Sequence, residues 1–205
     1  MSKTLRRYFF PLALSIILVV LVAYIAYGRF HPDNGLRVVG AAPGFELQDL
    51  NGQPFRSDNL NGTVRLMEFM FTSCPDICPA TSYNMVLIQN ELKSQGLFGD
   101  KMKMIAVTFD PKRDTPDILR AYAARMNMDM SGWVLLRGDE AETAEIASRY
   151  GVTVQNLGDG QFVHTTTSLI LIDGKQKIRR VYKMGVDMNN EQIVGDIKAL
   201  LKETT

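Results

Sequence analysis

Val64-Arg65-Leu66-Met67-Glu68-Phe69-Met70-Phe71-Thr72-Ser73-Cys74-Pro75-Asp76-Ile77-Cys78-Pro79 is the stretch around which the rest of the chain can be ordered. The apolar run Leu66 to Phe71 reads as part of a buried strand over Val64 to Phe71, and Met85, Ile88 and Leu92 then fall on one helical face. Between strand and helix sit the chain's two cysteines, Cys74 and Cys78. At a helix start, free backbone N–H groups and the positive end of the macrodipole stabilise a thiolate, the form of cysteine that attacks disulfides and binds soft metals. As a mere staple the pair would do little: closing a five-residue loop is worth about 2 kcal/mol, against about 4.7 for a 100-residue loop. The sequence therefore predicts redox or metal chemistry at this turn.

Outward from the cysteines, period and punctuation alternate strands with helices. Phe45 to Phe55 reads as a hairpin around Asn51-Gly52, Ala80 to Gln95 as a helix, and Lys103 to Phe109 as a second core strand. Asp114 or Thr115 caps a helix with Pro116 in its first turn, running to about Met126; Trp133 to Leu136 is a short strand and Glu140 to Tyr150 the next helix. Asn156 to Val163 reads as a Gly-rich loop. Thr167 to Asp173 and Lys177 to Lys183 form a hairpin through Asp173-Gly174, and Asn190 to Lys202 is an amphipathic helix. This order predicts an α/β fold, a mixed sheet flanked by helices, with an N-terminal hairpin.

The N-terminal segment bears on the compartment. Tyr8 to Tyr27 is an uncharged stretch of 20 residues, enough at about 1.5 Å per residue to cross a hydrocarbon core of about 30 Å. Lys3, Arg6 and Arg7 precede it and Arg29 follows, so the positive-inside rule directs the N-terminus to the cytoplasm and the rest outward. A cleaved signal peptide is the alternative, but Val22 to Gly28 offers no cysteine for lipid attachment. The expected plan is a cytoplasmic N-terminus and transmembrane helix (1–29), a linker (30–44) and one domain (45–205), single-pass in the cytoplasmic membrane with the soluble domain on the extracytoplasmic, periplasmic side. A net charge of +1 over 205 residues argues against nucleic-acid binding. In an oxidising space two thiols four apart would oxidise unless a reductant or a metal held them.

Three segments in order, Phe69 to Pro79, then Val107-Thr108-Phe109-Asp110-Pro111-Lys112-Arg113-Asp114-Thr115-Pro116, then His164 before a strand, resemble the Sco/SenC family across nearly the whole chain. The resemblance implies a membrane-anchored, thioredoxin-like copper protein that helps assemble the copper centre of cytochrome c oxidase. The expected partner is the oxidase's copper-bearing subunit, with other copper chaperones or thiol reductants as further partners. It also implies a Cys₂His copper site of Cys74, Cys78 and His164; imidazole with thiolate suits both Cu(I) and Cu(II). The other histidine, His31, reads as a linker residue. Positions i and i+4 share one helix face with Cβ atoms about 5–6 Å apart, and bonds of about 2.3 Å would set two sulfurs roughly 3.8–4.0 Å apart around one ion. A disulfide needs about 2.05 Å between sulfurs, so the spacing leans toward metal without forbidding oxidation.

The chain departs from the family's pattern beside His164, where Val163 and Thr165 stand in place of an acidic neighbour. Asp110 is a candidate to orient the imidazole, or else a turn residue ahead of Pro111; Asp76 could add charge near a metal, or lie solvated in the turn. Met126, Met128 and Met130 could form a secondary thioether site but read more simply as packing. Lys175, Lys177, Arg179, Arg180 and Lys183 make the last hairpin basic, either a docking patch or a solvated surface. The functional alternative to a copper chaperone is a thiol–disulfide oxidoreductase in which Cys74 attacks and Cys78 resolves, so enzyme status stays open. A peroxiredoxin is disfavoured, because the positions seven and three before Cys74 hold Met67 and Phe71.

Overall fold

The computed structural model describes residues 11–23, 36–158, 161–165 and 169–203, and the chain divides into two units, 1–36 and 37–205. In the first, residues 11–23 form helix α1, with Leu12, Leu14 and Ile16 through Val22 exposed. Among the described residues no helix is long and apolar enough to cross a membrane. The ends of the expected span, residues 8–10 and 24–27, lie outside them.

The second unit runs β1 (Gly40–Ala41), β2 (Glu46–Gln48), β3 (Pro54–Arg56), β4 (Val64–Met70), α2 (Ile77–Ser94), β5 (Met102–Thr108), α3 (Pro116–Met126), β6 (Trp133–Leu136), α4 (Glu140–Arg149), β7 (Val154–Gly158), β8 (Gln161–His164), β9 (Leu169–Ile172), β10 (Lys177–Tyr182) and α5 (Asn190–Glu203). One sheet, in the order β1-β10-β9-β4-β5-β6, forms its centre. Strands β4, β5 and β6 are parallel, which requires the helical crossovers α2 and α3, whereas β9 lies antiparallel on the other side of β4. The tight β9–β10 turn is fastened by Asp173, whose Oδ1 accepts from the N–H groups of Lys175 and Lys177 at 2.8 and 3.0 Å.

Every residue of β4 is buried, so its alternation shows which elements cover each face. Glu68 accepts a hydrogen bond from Ser82 of α2, while its neighbour Phe69 packs on Tyr150 just beyond α4, ring centroids 5.8 Å apart. Helices α3 and α5 flank α2: Tyr122 Oη donates to Ser82, and Lys198 pairs with Glu91. The expected mixed sheet with helices on both faces is thus present. Arg65 is tolerated in the same strand because its guanidinium donates to the carbonyls of Thr63 and Asp173 and to Gln176 Oε1, at 3.2, 2.8 and 2.7 Å.

Three sequence expectations need correction. Helix α2 starts at Ile77 rather than Ala80, since Pro79 falls in the first turn, where a missing N–H costs no intrahelical bond. The expected Gly-rich loop Asn156 to Val163 contributes to an antiparallel hairpin, β7–β8. Residues 39–44, assigned to the linker, belong to the folded unit: Gly40 and Ala41 pair with β10, and the Pro43 carbonyl accepts from Tyr150 Oη at 2.7 Å.

A 3₁₀ turn, Gly185–Asp187, clamps the start of α2. Gly185 donates its N–H to Thr81 Oγ1 at 2.8 Å and its carbonyl accepts from Asn84 Nδ2 at 3.0 Å. Its φ is +78°, and a Cβ there would meet Ile77 Cγ1 at 3.1 Å. Gly185→Ala is therefore expected to destabilise the fold by about 1–2 kcal/mol, the cost of a left-handed L-residue. Urea unfolding should show a lower midpoint with unchanged slope; an unshifted midpoint would contradict this account.

Candidate functional site

The site begins where β4 ends. Phe71 is buried at the end of the strand, and Thr72 turns the chain toward the cysteines. Thr72 is held by Asp114, a wholly buried residue in the loop between β5 and α3. The Asp114 carboxylate accepts from Thr72 N–H at 3.0 Å, from Thr72 Oγ1, and from Thr108 Oγ1 at 2.5 Å. Three donors offset the cost of burying that carboxylate and fix the strand exits beside one another. The sequence offered Asp114 only as a helix cap, a role that Thr115 fills by accepting from Ile118 N–H.

Cys74 lies outside α2, so the two cysteines do not share a helix face as their spacing implied. Instead the loop folds Cys74 Sγ back to accept from Cys78 N–H at 3.4 Å, taking the place of a capping oxygen at a helix whose N-cap residue, Asp76, makes no side-chain cap. Cys74 is half-buried and Cys78 fully buried; both are free thiols. Hydrogen bonding from the Cys78 thiol, reinforced by the backbone N–H groups of Asp76 and Cys78, holds the Cys74 thiol well below the ordinary cysteine range. Donating to Cys74 and being buried push Cys78 the other way. The pair thus divides into an accessible thiolate and a protected thiol.

His164 ends β8 opposite Val154, and the next pairing step is the hydrogen bond from Thr165 N–H to the Thr153 carbonyl at 3.1 Å. Its Nε2 lies 4.0 Å from Cys78 Sγ and its Nδ1 3.0 Å from the Thr165 carbonyl. A carbonyl only accepts, so Nδ1 carries the proton and the Nε2 lone pair faces the cysteines. That contact supplies the imidazole's orientation in place of an acidic neighbour. Phe109 and Phe71 flank the ring at centroid distances of 5.3 and 6.5 Å, and Phe162 packs on both phenylalanines. Separated in sequence, these phenylalanines gave no signal as a platform for His164.

The remaining candidates fall elsewhere. Asp110 pairs with Arg113. Asp76 is exposed and serves Cys74 through its backbone. Met128 and Met130 line a groove of about 600 Å³ with Trp133 and Arg120, without Met126. Within the basic hairpin, Arg179 pairs with Asp173 and Glu203, and Arg180 with Asp196. His31 lies outside the described residues. Among the described residues no three His, Cys, Asp or Glu side chains already stand at metal-holding distances. The 4.0 Å from Cys78 Sγ to His164 Nε2 nonetheless lies inside the roughly 3.5–4.3 Å that two such ligands span across one ion, using zinc bond lengths as a proxy.

A family model, SCO1/SenC, matches residues 38–202. The chain belongs to the SCO1/SenC family. The SCO2-like protein RP587 of Rickettsia prowazekii is 40% identical over 110 residues, covering 53% of this chain and 50% of that protein. The chain thus spans about half the length of such curated relatives. BsSco, a member of the Sco family of cytochrome c oxidase assembly proteins in which a disulfide switch was identified, is 25% identical, with a TM-score of 0.71 over 81% of this chain and 96% of that one. Yeast Sco1 with copper bound is 27% identical, with a TM-score of 0.66 over 80% of this chain and 89% of that one. The mixed α/β architecture is accordingly the thioredoxin-like fold of these proteins.

Two measurements test the site. Because the Cys74 pKa is lowered, its thiolate should persist at neutral pH, and its alkylation by iodoacetamide should slow only as pH falls well below 7. Cys78→Ala removes the thiol that donates to it, so that fall-off should move up toward the ordinary cysteine value; an unmoved profile would refute the assigned cause. Asp114→Ala leaves buried donors unpaired and is expected to cost about 1–3 kcal/mol, seen as a lower Tm.

Proposed function

We propose that this protein is a membrane-anchored copper chaperone whose cargo metal is held by Cys74, Cys78 and His164 and delivered to, or used to prepare, the copper centre of cytochrome c oxidase. The observation that carries the reading is the approach of His164 Nε2 to Cys78 Sγ, with the imidazole fixed in the tautomer that leaves that nitrogen free. Two thiolates and an imidazole form a soft donor set suited to Cu(I) and tolerant of Cu(II). Copper seated in yeast Sco1 and the oxidase-assembly role of the BsSco family support the cargo and the destination. Anchoring is supported by the uncharged run Tyr8 to Tyr27 and by the outward-facing apolar side chains of α1. The flanking charges favour a periplasmic location for the folded unit.

Anaerobic Cu(I) titration of the reduced chain should saturate at one equivalent, and Cu(II) should give a strong thiolate charge-transfer band. Cys74→Ala, Cys78→Ala and His164→Ala should each abolish the band and weaken Cu(I) binding at least about 10-fold. Wild-type affinity in His164→Ala would remove the histidine from the ligand set.

The second reading, thiol–disulfide exchange with a partner's cysteines, is favoured by the pairing of an accessible, low-pKa Cys74 with a buried Cys78. His164→Ala separates the two: it should leave disulfide exchange largely intact while copper binding is lost.

A further inference from the structure

Strand β6 is one edge of the central sheet, and its free side is only partly covered. In the parallel pairing with β5, Met104 N–H bonds to the Gly132 carbonyl, so the even-numbered backbone groups of β6 turn toward β5 and the odd-numbered ones away. On that outward side Arg137 exchanges both its bonds with Gln48, at 2.9 and 2.8 Å, and Trp133 N–H reaches the Asp129 carbonyl at 3.1 Å. Between them the Leu135 N–H and carbonyl, and the Trp133 carbonyl, have no hydrogen-bond partner among the described residues. Leu135 is 2% exposed, and buried backbone groups left unpaired are rare. Strand β2 stops short of them: after Gln48 the chain turns, and Asp49 N–H bonds to the Gln53 carbonyl at 3.0 Å. What opens over Leu135 instead is the groove of about 600 Å³, walled by Phe55 of β3, Ala124 of α3 and Met128. The Trp-Val-Leu-Leu of β6 includes no charge and no proline, the residues that blunt an exposed edge.

We propose that this edge is a docking site for an extended segment of a partner protein, which enters as a further strand antiparallel to β6 and continues the pairing where β2 leaves off. Backbone complementarity sets the class of occupant, because one residue placed opposite Leu135 satisfies both of its groups. Trp133 Nε1 donates to Gln89 of α2 at 2.7 Å, so Trp133 and Leu135 face the helices α2 and α3. The partner residue opposite Leu135 shares that face; its side chain meets Ala124 and Met128 and is apolar, while its neighbours point away.

Charge complementarity sets the leading end of the segment. Arg120 stands at the hairpin end of the groove, where it donates to the Leu50 carbonyl, and its ion pair among the described residues is with Asp117, whose side chain is 95% exposed. A pair so open to solvent neutralises the guanidinium weakly, which favours an acidic residue at the start of the segment. A second copy of this chain fits poorly: two-fold pairing about Leu135 sets each Trp133 opposite the other copy's Arg137, whose outward bonds Gln48 already holds. Neither cysteine nor His164 lines the groove, so the proposal stands apart from the copper reading.

The test pans a random seven-residue peptide library against the full chain in lipid nanodiscs, with empty nanodiscs as counter-selection. Binding of the selected peptides is followed by the fluorescence of Trp133, the chain's single tryptophan, which lines the groove. Selected sequences should place apolar residues at alternate positions after a leading Asp or Glu. Methylating their backbone N–H groups one at a time should weaken binding about 10-fold at alternate residues, those that donate to β6, and little at the residues between. Ala124→Trp, at an exposed helix position, fills the groove and should abolish binding. A methylation scan without alternation overturns the proposal, as does a selection yielding no peptide that distinguishes the wild type from Ala124→Trp. Should that variant not fold, the scan on the wild type decides alone. Concentration-dependent dimerisation of the wild type that a selected peptide suppresses would give the edge to a second copy and likewise overturn it.

Discussion

The buried carboxylate of Asp114 ties the exit of β4 to the exit of β5, and the geometry of the cysteine loop follows from that tie. Parallel neighbours expose their last backbone groups at the same edge, and here that edge must support a turn of unusual shape. Asp114 meets the demand by accepting from Thr72 on one strand exit and Thr108 on the other. Thr108 Oγ1 also accepts from Asp110 N–H at 3.0 Å, so the loop that carries Asp114 is itself secured. With Thr72 fixed, the chain between it and α2 is short enough that Cys74 must fold back over the helix start.

This fold-back makes two chemically different cysteines from one motif. Cys74 accepts hydrogen bonds at the helix start and remains accessible, whereas Cys78 faces the core and donates. Burial raises the energy of an ion, and donors lower it; the pair separates those effects onto two sulfurs. His164 approaches from the β7–β8 hairpin, an element built outside the central sheet, with its ring packed against Phe109 and Phe71. The arrangement is chemically compatible with a soft metal as well as with a thiol–disulfide step, because both chemistries require a thiolate at the surface and a second sulfur beside it.

Much of the framework was legible before any coordinates. Trp133–Leu136 was read residue for residue, and α3 was bounded correctly by its cap, Pro116 and Met126, because punctuation by Pro and polar caps acts locally. Gly-rich composition hides the β7–β8 hairpin, whose register shifts between Asn156 and Gly158. The start of α2 was placed too late because Pro79 looked like a boundary, although a first turn accommodates proline. Within the site, Cys74, Cys78 and His164 stood out by residue type and motif. Phe71, Phe109, Phe162 and Asp114 did not, since each is an ordinary core or turn residue in its own segment.

The sequence by itself determined the order of strands and helices, the thiol pair at the first crossover and the apolar N-terminal run, since each depends on residues close together along the chain. Only the tertiary structure decided that His164 faces Cys78, that Thr165 fixes its tautomer, and that Cys74 rather than Cys78 is the accessible sulfur. Those relations span up to 86 residues between Cys78 and His164, and they arise only when the sheet brings separate segments to one edge, where burial and hydrogen bonding set the charge of each group.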